Sequence, residues 1–246
     1  MSDTKICAVV GAGDFIGRAI ALRFAREGYT IFAGRRNGDK LQPLRDEIEA
    51  MGGQCHIRSL DARKEDEISA FMEDAAIIGT LSAVIFNIGA NVNFPVLDTT
   101  ERVFRKVWEM ACYSGFLTGR EAARHMVPAG SGSIFFTGAT ASLRGGAGYA
   151  AFASAKFGLR GVAQSMAREL GPKNIHVAHL IIDAAVDTEW VRGMIKERAG
   201  EDALNAMGTD DLLDPAAVGE TYWQLHTQRR SAWTHELDIR PYGEKF

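Results

Sequence analysis

The sequence predicts a doubly wound α/β fold, with a seven-stranded, mostly parallel sheet and helices on both of its faces. Short β-branched or aromatic runs alternate with longer helical patterns along the chain, an order typical of βαβ units. Most of the short runs are continuously apolar, as in parallel strands that are covered on both faces. The 246 residues contain no repeat and no Pro/Gly/Ser-rich linker, so we expect one domain over residues 1–246.

Seven segments have the composition of strands, and helical patterns separate them. The predicted strands are residues 6–10, 30–33, 56–60, 83–87, 133–136, 176–182 and 232–239. The first helix is predicted over 16–27, where an apolar stripe ends before Gly28. Helices are also expected over 101–126 and 150–170. A further helix should begin after Asp214, since aspartate is a favourable N-cap and Pro215 suits the first helical position.

The composition narrows the class of protein. A formal net charge of −3 without a basic block argues against nucleic acid as the main partner. Cys7, Cys55 and Cys112 are too few and too scattered for a disulfide framework or a zinc site, so we expect no metal and a reducing compartment. No signal-peptide pattern and no apolar run of about 20 residues is present. We therefore expect a cytoplasmic protein without a membrane partner.

A glycine-rich turn joins the first predicted strand to the first helix. Its sequence is Gly11-Ala12-Gly13-Asp14-Phe15-Ile16-Gly17. Glycines at such a turn allow a tight bend and let a pyrophosphate approach the backbone at the helix N-terminus. The alternative is a turn without a ligand, because a short glycine pattern occurs by chance. The strand before it and the helix after it favour a dinucleotide site at Gly11, Gly13, Phe15, Ile16 and Gly17.

The end of the second strand indicates which dinucleotide is bound. An acidic residue at this place would bind the ribose 2′-hydroxyl of NAD. The sequence instead has Arg35 and Arg36, whose guanidinium groups suit the additional 2′-phosphate of NADP. Asp14 in the glycine turn counts against this preference, and surface arginines could simply be solvated. We expect NADP, with NAD as the less favoured cofactor.

With these residues in place, the chain resembles the short-chain dehydrogenase/reductase family from end to end. The order and spacing of several segments carry the resemblance: Gly11–Gly17, Asp61 after the third strand, Asn87 and Gly89 after the fourth, 152–156, and Val186 with Thr188. The resemblance implies a Rossmann fold and hydride transfer between NAD(P) and a carbonyl or alcohol of a small molecule. It also implies that Asp61 contacts adenine, that Val186 and Thr188 lie near the nicotinamide amide, and that Lys156 holds the nicotinamide ribose.

The catalytic positions depart from the family pattern. The family has a tyrosine four residues before its lysine, and Phe152 stands there while Lys156 is present. The resemblance places Ala139 at the catalytic serine and Cys112 at the asparagine. Because phenylalanine keeps the ring and loses only the hydroxyl, packing is preserved while the acid is removed. The three losses together indicate a divergent member of the family that binds a dinucleotide but whose site serves different chemistry.

Three residues are candidates for supplying the missing proton. Tyr149 lies one turn before Phe152, although a packing role for its ring is the simpler interpretation. Thr140 follows the lost serine, but neighbouring side chains in a strand point to opposite faces. Asp183 follows a very apolar strand, where desolvation would raise the pKa of its carboxyl. A turn or capping role for Asp183 is the alternative.

Two functional hypotheses follow from these residues. The first is an NADP-dependent oxidoreductase that acts on a small carbonyl or alcohol by an atypical mechanism. The second is a catalytically impaired dinucleotide-binding protein that serves as a sensor or a partner subunit. By resemblance, we also expect a homodimer or homotetramer built on the fourth and fifth helices.

Overall fold

A computed structural model describes residues 4–244. These residues form seven strands: β1 (Lys5–Val10), β2 (Thr30–Arg35), β3 (Cys55–Ser59), β4 (Thr80–Phe86), β5 (Gly132–Thr137), β6 (Ile175–Ile182) and β7 (Glu236–Ile239). They also form nine α-helices: α1 (Ile16–Arg26), α2 (Gln42–Ala50), α3 (Glu65–Ile78), α4 (Glu101–Trp108), α5 (Ser114–Ala129), α6 (Ala150–Leu170), α7 (Glu189–Ala199), α8 (Glu201–Asn205) and α9 (Pro215–His226). No helix in this described part is long and apolar enough to cross a membrane.

The strands form one sheet in the order β3-β2-β1-β4-β5-β6-β7. Every neighbouring pair is parallel, so the predicted doubly wound α/β fold is confirmed and the sheet is parallel throughout. The strand order reverses direction between β1 and β4. In open parallel sheets, ligands bind beyond the carboxyl ends of the strands at such a switch point.

Helices cover both faces, as predicted, because alternate strand residues point to opposite sides. On one face, Val9 and Ile31 pack with Ile20 and Phe24 of α1 and with Tyr222 of α9. The other face carries α3, α5 and α6. It contains Ala8, Val84, Phe136, Leu117 and Leu159.

Most predicted bounds lie within three residues of those in the structure, and two predicted elements differ more. The last strand begins at Glu236 rather than at residue 232, because a 3₁₀ turn occupies Arg230–Ala232. The helix predicted over 101–126 contains a π-helical turn at Glu109–Tyr113 between α4 and α5. Backbone dihedrals remain helical through both junctions, so the side-chain pattern alone does not reveal the extra residue in the turn.

Candidate cofactor and active site

Two adjoining cavities lie beyond the carboxyl ends of the strands. We call them the nicotinamide-side cavity, of 620 Å³, and the adenosine-side cavity, of 530 Å³. Five residues line both: Gly11, Gly13, Asn87, Ile88 and Gly89. The two cavities therefore form one groove across the switch point of the sheet, which is where this fold class binds dinucleotides.

The glycine turn is shaped so that its backbone faces this groove. Gly11 has φ +90°, and a Cβ there would lie 2.8 Å from the carbonyl oxygen of Asn87. A Cβ on Gly17 would lie 2.7 Å from the Cα of Ala12, so both positions require glycine. A Cβ on Gly13 would meet nothing within 4 Å, because this residue opens onto the groove. The turn thus leaves room for a ligand against the main chain.

The N-terminus of α1 points its unpaired N–H groups toward the same place. Phe15 is the N-cap and makes no side-chain capping hydrogen bond. Since the first N–H groups of a helix have no partner inside it, those of Ile16 and Gly17 are available to an anion, whereas the N–H of Arg18 donates to the carbonyl oxygen of Gly13 at 2.8 Å. The Phe15 side chain is 41% exposed and lines the nicotinamide-side cavity. The backbone here suits a pyrophosphate, and the phenylalanine ring adds a wall that a glycine would not provide.

Asn87 fixes the glycine turn from the end of β4. Its amide nitrogen Nδ2 donates to the carbonyl oxygen of Gly11 at 3.1 Å. Its Oδ1 accepts from the Thr137 hydroxyl at 3.0 Å, and that hydroxyl is 2.7 Å from the Tyr222 hydroxyl. This chain of hydrogen bonds connects the turn to β5 and α9. The predicted residue Asn87 therefore shapes the site through the backbone of Gly11.

The adenosine-side cavity is rich in cationic side chains. Arg35 and Arg36 both line it, as predicted, but Arg35 pairs with Asp14 at 2.7 Å. Lys40, which the sequence did not single out, also lines it. Among the described residues, neither Arg36 nor Lys40 has a carboxylate within ion-pair distance. These two cations are thus free to meet an anionic group of a ligand.

Asp61 lies in the same cavity but is already engaged. Arg63 donates to its two carboxylate oxygens at 2.8 and 2.6 Å. These hydrogen bonds lower the pKa of Asp61 to about 2. The backbone N–H of Asp61 donates to Glu67, which holds the loop after β3 in place. Arg63 is a lining residue that lies two positions after the predicted aspartate, and no motif indicated its side-chain direction.

Lys156 lies at the floor of the nicotinamide-side cavity. It is 2% exposed, and its Nζ donates to the carbonyl oxygens of Thr137 at 2.8 Å and Ile88 at 3.2 Å. Burial lowers the pKa of Lys156 to about 8. Its Nζ is 5.9 Å from the centre of the Phe152 ring, one helical turn earlier. The main chain therefore holds an ammonium group beneath that ring.

The three residues that the resemblance places at catalytic positions, Phe152, Ala139 and Cys112, lie near this lysine. Phe152 is 7% exposed and lines the cavity, as does Ala139. Cys112 is 3% exposed and packs in the same small cluster as Phe152 and Ala155. Burial raises the pKa of Cys112 to about 11, so this thiol is not activated as a nucleophile. None of the three side chains offers a hydroxyl or amide to the cavity.

Of the predicted proton donors, Thr140 and Tyr149 line the cavity and Asp183 does not. Asp183 is 1% exposed and accepts a hydrogen bond from the Thr140 hydroxyl at 2.5 Å. Arg240 approaches its other oxygen at 3.3 Å, and Arg144 approaches the same oxygen at 3.5 Å. Asp183 is therefore connected to the cavity through Thr140 and Arg144, which both line it. Tyr149 is the N-cap of α6, which begins at Ala150.

The remaining predicted residues lie at the far wall. Val186 and Thr188 line the nicotinamide-side cavity, and Gly89 borders both halves of the groove. Thr188 is the N-cap of α7, where its hydroxyl accepts from the N–H of Val191 at 3.1 Å. The structure thus brings every predicted site residue except Asp183 to the walls of the groove.

Similarity to known proteins agrees with this geometry. The sequence model of the family described as short chain dehydrogenase matches residues 5–199. The 7alpha-hydroxysteroid dehydrogenase of Escherichia coli strain K12 is 30% identical over 195 residues, which are 78% of this chain and 75% of that protein. A crystal structure of a short-chain dehydrogenase from Rhodopseudomonas palustris is 60% identical, with a TM-score of 0.83 over 97% of this chain and 99% of the other. A metagenomic short-chain oxidoreductase in complex with NADP shares the fold, at 23% identity and a TM-score of 0.82 over 98% of each chain. The chain therefore belongs to the short-chain dehydrogenase/reductase family.

Proposed function

We propose that the protein is an NADP(H)-dependent oxidoreductase that interconverts a carbonyl and an alcohol without a tyrosine acid. One observation carries this proposal: Lys156 is held by two main-chain carbonyls at the floor of a groove whose other end has free cations. A buried ammonium group is costly unless it is hydrogen-bonded, and the carbonyls of Thr137 and Ile88 supply these bonds to Lys156. Here it lies where the ribose of a bound dinucleotide would end.

The residues present fit such a cofactor. Gly13 and Gly89 leave open space beside the main chain, and the first N–H groups of α1 suit a pyrophosphate. Lys156 would hold the nicotinamide ribose, with Val186 and Thr188 near the amide. When bound, the nicotinamide supplies a hydride to the substrate carbon or accepts one from it.

The free cations of the adenosine-side cavity support NADP over NAD. Arg36 and Lys40 line this cavity and, among the described residues, have no carboxylate partner. A 2′-phosphate would give these groups charge-assisted contacts, whereas a ribose 2′-hydroxyl would leave both of them unpaired. Asp14 reduces the preference for NADP over NAD, because its ion pair with Arg35 makes this cation less available to a 2′-phosphate.

The hydrogen bond between Thr140 and Asp183 supplies a route for the proton. In alcohol oxidation, the substrate O–H proton moves to Thr140 Oγ1 as the Thr140 proton moves to Asp183. Carbonyl reduction uses the same two transfers in reverse. The ammonium of Lys156 stabilises negative charge that develops on the substrate oxygen. Thr140 is then the group that touches the substrate, and Asp183 is a positioning residue that acts through it.

Substrate-dependent oxidation of NADPH by the unmodified protein tests this proposal, with a panel of aldehydes and ketones. Thr140→Val should lower kcat about 100-fold, since an acid–base group contributes roughly 10²- to 10⁴-fold. Thr140→Ser keeps a hydroxyl and should retain most of the activity. If the Val and Ser variants have the same kcat, the proton route through Thr140 is wrong.

A second candidate function is dinucleotide binding without turnover. The observation in its favour is that Phe152, Ala139 and Cys112 carry no group that can exchange a proton with a substrate in the cavity. It predicts NADPH binding with no oxidation on any carbonyl of the panel. Any robust substrate-dependent oxidation by the unmodified protein would reject it.

A further inference from the structure

A third cavity, of 650 Å³, opens beside the nicotinamide-side cavity. We call it the apolar cavity, because most of its walls are hydrocarbon side chains: Phe15, Trp190, Val191, Met194 and Ile195. It shares five lining residues with the nicotinamide-side cavity: Phe15, Asn91, Ala184, Val186 and Thr188. A molecule that reaches the floor near Lys156 can therefore extend directly into it.

Two exposed aromatic residues give this cavity its apolar character. Trp190 is 62% exposed and Phe15 is 41% exposed, although both line the cavity. Burial of such rings by a ligand is favourable in proportion to the apolar area removed from water. The cavity thus favours the apolar body of a substrate.

One cation stands in this cavity, at the far end of α7. Arg198 lines it, and among the described residues no carboxylate lies within ion-pair distance of Arg198. Two other cations of α7 are paired: Arg192 with Asp187 at 2.5 Å and Lys196 with Glu201 at 2.8 Å. Arg144, in the nicotinamide-side cavity, pairs with Asp183 at 3.5 Å, and Asp183 also pairs with Arg240. The unpaired charge next to the hydrocarbon walls is therefore Arg198.

The geometry points to a substrate class: an elongated apolar carbonyl or alcohol compound that ends in a carboxylate. Its carbonyl lies by Thr140, its hydrocarbon body lies between Phe15 and Trp190, and its carboxylate pairs with Arg198. This inference rests on the proposed function, which places the reacting carbon in the nicotinamide-side cavity.

The length of α7 sets the length of this substrate. Thr188, at the N-cap of α7, lines both cavities, and Arg198 lies ten residues further on. At a rise of 1.5 Å per residue, the Cα of Arg198 lies about 15 Å along the helix axis from the Cα of Thr188, so a ligand that reaches Arg198 from the shared wall extends along α7. A short oxo acid cannot span this separation. A long-chain oxo acid can.

Calorimetric titration of the NADPH-saturated protein tests the inference with three probes: oxostearate, its methyl ester, and the short oxo acid levulinate. Oxostearate should bind about tenfold more tightly than the ester, because only the acid has a carboxylate that can pair with the guanidinium of Arg198. Levulinate should give no measurable heat. Binding is measured without turnover, so the result does not depend on the proton route.

Arg198→Gln should weaken oxostearate about tenfold and leave the ester unchanged. Lys196→Gln is the matched control, because Lys196 lies on the same helix, is paired with Glu201 and does not line the cavity. It should change neither affinity. Trp190→Ala should weaken the acid and the ester alike.

Equal affinities for acid and ester in the unmodified protein would overturn the inference, as would equal effects of Arg198→Gln and Lys196→Gln. The inference would also be overturned if none of the three probes binds. A titration with NADPH alone distinguishes a wrong substrate class from a wrong proposed function. NADPH binding without oxostearate binding leaves the oxidoreductase proposal standing. Oxostearate binding to a protein that does not bind NADPH would reject that proposal and retain the substrate class.

Discussion

Phe152 differs by one hydroxyl group from the tyrosine that the family resemblance predicts at this position. Phe152 lines the nicotinamide-side cavity and lies one turn before Lys156, whose Nζ is 5.9 Å from the ring centre. A tyrosine would retain the packing and place a phenol in that cavity, near an ammonium that lowers its pKa. The lost acid is therefore a change of chemistry with little change of shape.

The variant Phe152→Tyr with Ala139→Ser should increase kcat for carbonyl reduction about 100-fold, which is the lower contribution of a positioned general acid. Steady-state oxidation of NADPH measures the increase. Lys156→Met in the same background should abolish it, because the phenol loses its cationic partner. If the double variant gains nothing on any substrate of the unmodified protein, the site differs by more than its missing hydroxyls.

Asp14 competes with a 2′-phosphate for Arg35, which lines the adenosine-side cavity. It holds Arg35 at 2.7 Å, and its own side chain is 64% exposed. Asp14→Asn removes the competing charge, so NADPH should bind about threefold more tightly, in keeping with the small free energy of an exposed ion pair. Affinity for NADH should not change. Calorimetry on both cofactors checks this, and an equal gain for NADH would show that Asp14 does not compete for the phosphate site.

At the scale of elements, the position of α1 depends on its contact with α9. A Cβ on Gly219 of α9 would lie 2.7 Å from the carbonyl oxygen of Ala19 in α1. The two helices can approach this closely only because α9 has glycine there. Since the N-terminus of α1 faces the groove, this contact also fixes the pyrophosphate end of the site.

Gly219→Ala should destabilise the protein by about 1–2 kcal/mol. The unfavourable free energy of overpacking at the α1–α9 contact exceeds the stabilisation from the higher helix propensity of alanine. The substitution should also weaken NADPH binding as α1 shifts. Gly161→Ala in α6 is the control, since a Cβ there meets nothing within 4 Å; it should stabilise by about 0.5–1 kcal/mol. Urea unfolding measures both. Equal stabilisation by the two changes would contradict the tight α1–α9 contact.

The sequence was sufficient to predict the elements that carry the site, because apolar runs and glycine turns are local signals. It located β1, the turn at Gly11–Gly17 and Lys156 on a helix. It did not predict that Arg35 would pair with Asp14, or that Asp183 would lie behind the cavity wall and accept a hydrogen bond from Thr140. Those contacts join residues 21 and 43 positions apart, so side-chain direction in the folded protein decides them.

At the scale of the whole molecule, buried neutral histidines make stability depend on pH. His226 lies between the Tyr29 hydroxyl at 2.7 Å and the Ser133 hydroxyl at 2.9 Å. Burial lowers the pKa of His226 to about 4 and that of His179 to about 4. In the unfolded chain both protonate near pH 6.5, so the unfolded state binds more protons between pH 4 and pH 6.5.

Stability should therefore fall as the pH drops from about 6.5 toward 4, by up to about 3 kcal/mol for His226 alone. Urea unfolding at several pH values within this range measures the slope. His226→Gln should reduce the slope, since glutamine does not titrate. A slope that is unchanged in this variant would show that His226 is not neutral in the folded protein.

Exposed aromatic side chains on α4, α5 and α6 are candidates for the interface of the expected homo-oligomer. Phe104 and Trp108 lie one turn apart on α4 and are 42% and 40% exposed, and Phe116 and Phe157 are exposed to a similar extent, at 39% and 43%. Burial of these rings between two copies would be favourable. Trp108→Glu should shift the protein to a smaller species in size-exclusion chromatography with light scattering, whereas the control Ile77→Glu on α3 should not. An unchanged mass for Trp108→Glu would exclude this face as the interface.

We propose that the chain has a dinucleotide site selective for NADPH, although Phe152 and Ala139 stand where the family resemblance predicts catalytic hydroxyls. Calorimetric titration of the unmodified protein with NADPH and with NADH tests it most directly. We predict that NADPH binds about tenfold more tightly, since contacts between charged groups contribute about 1.5–3 kcal/mol, and that Arg36→Gln with Lys40→Gln removes the difference. Equal affinity for the two cofactors, or no binding of either, would contradict the claim.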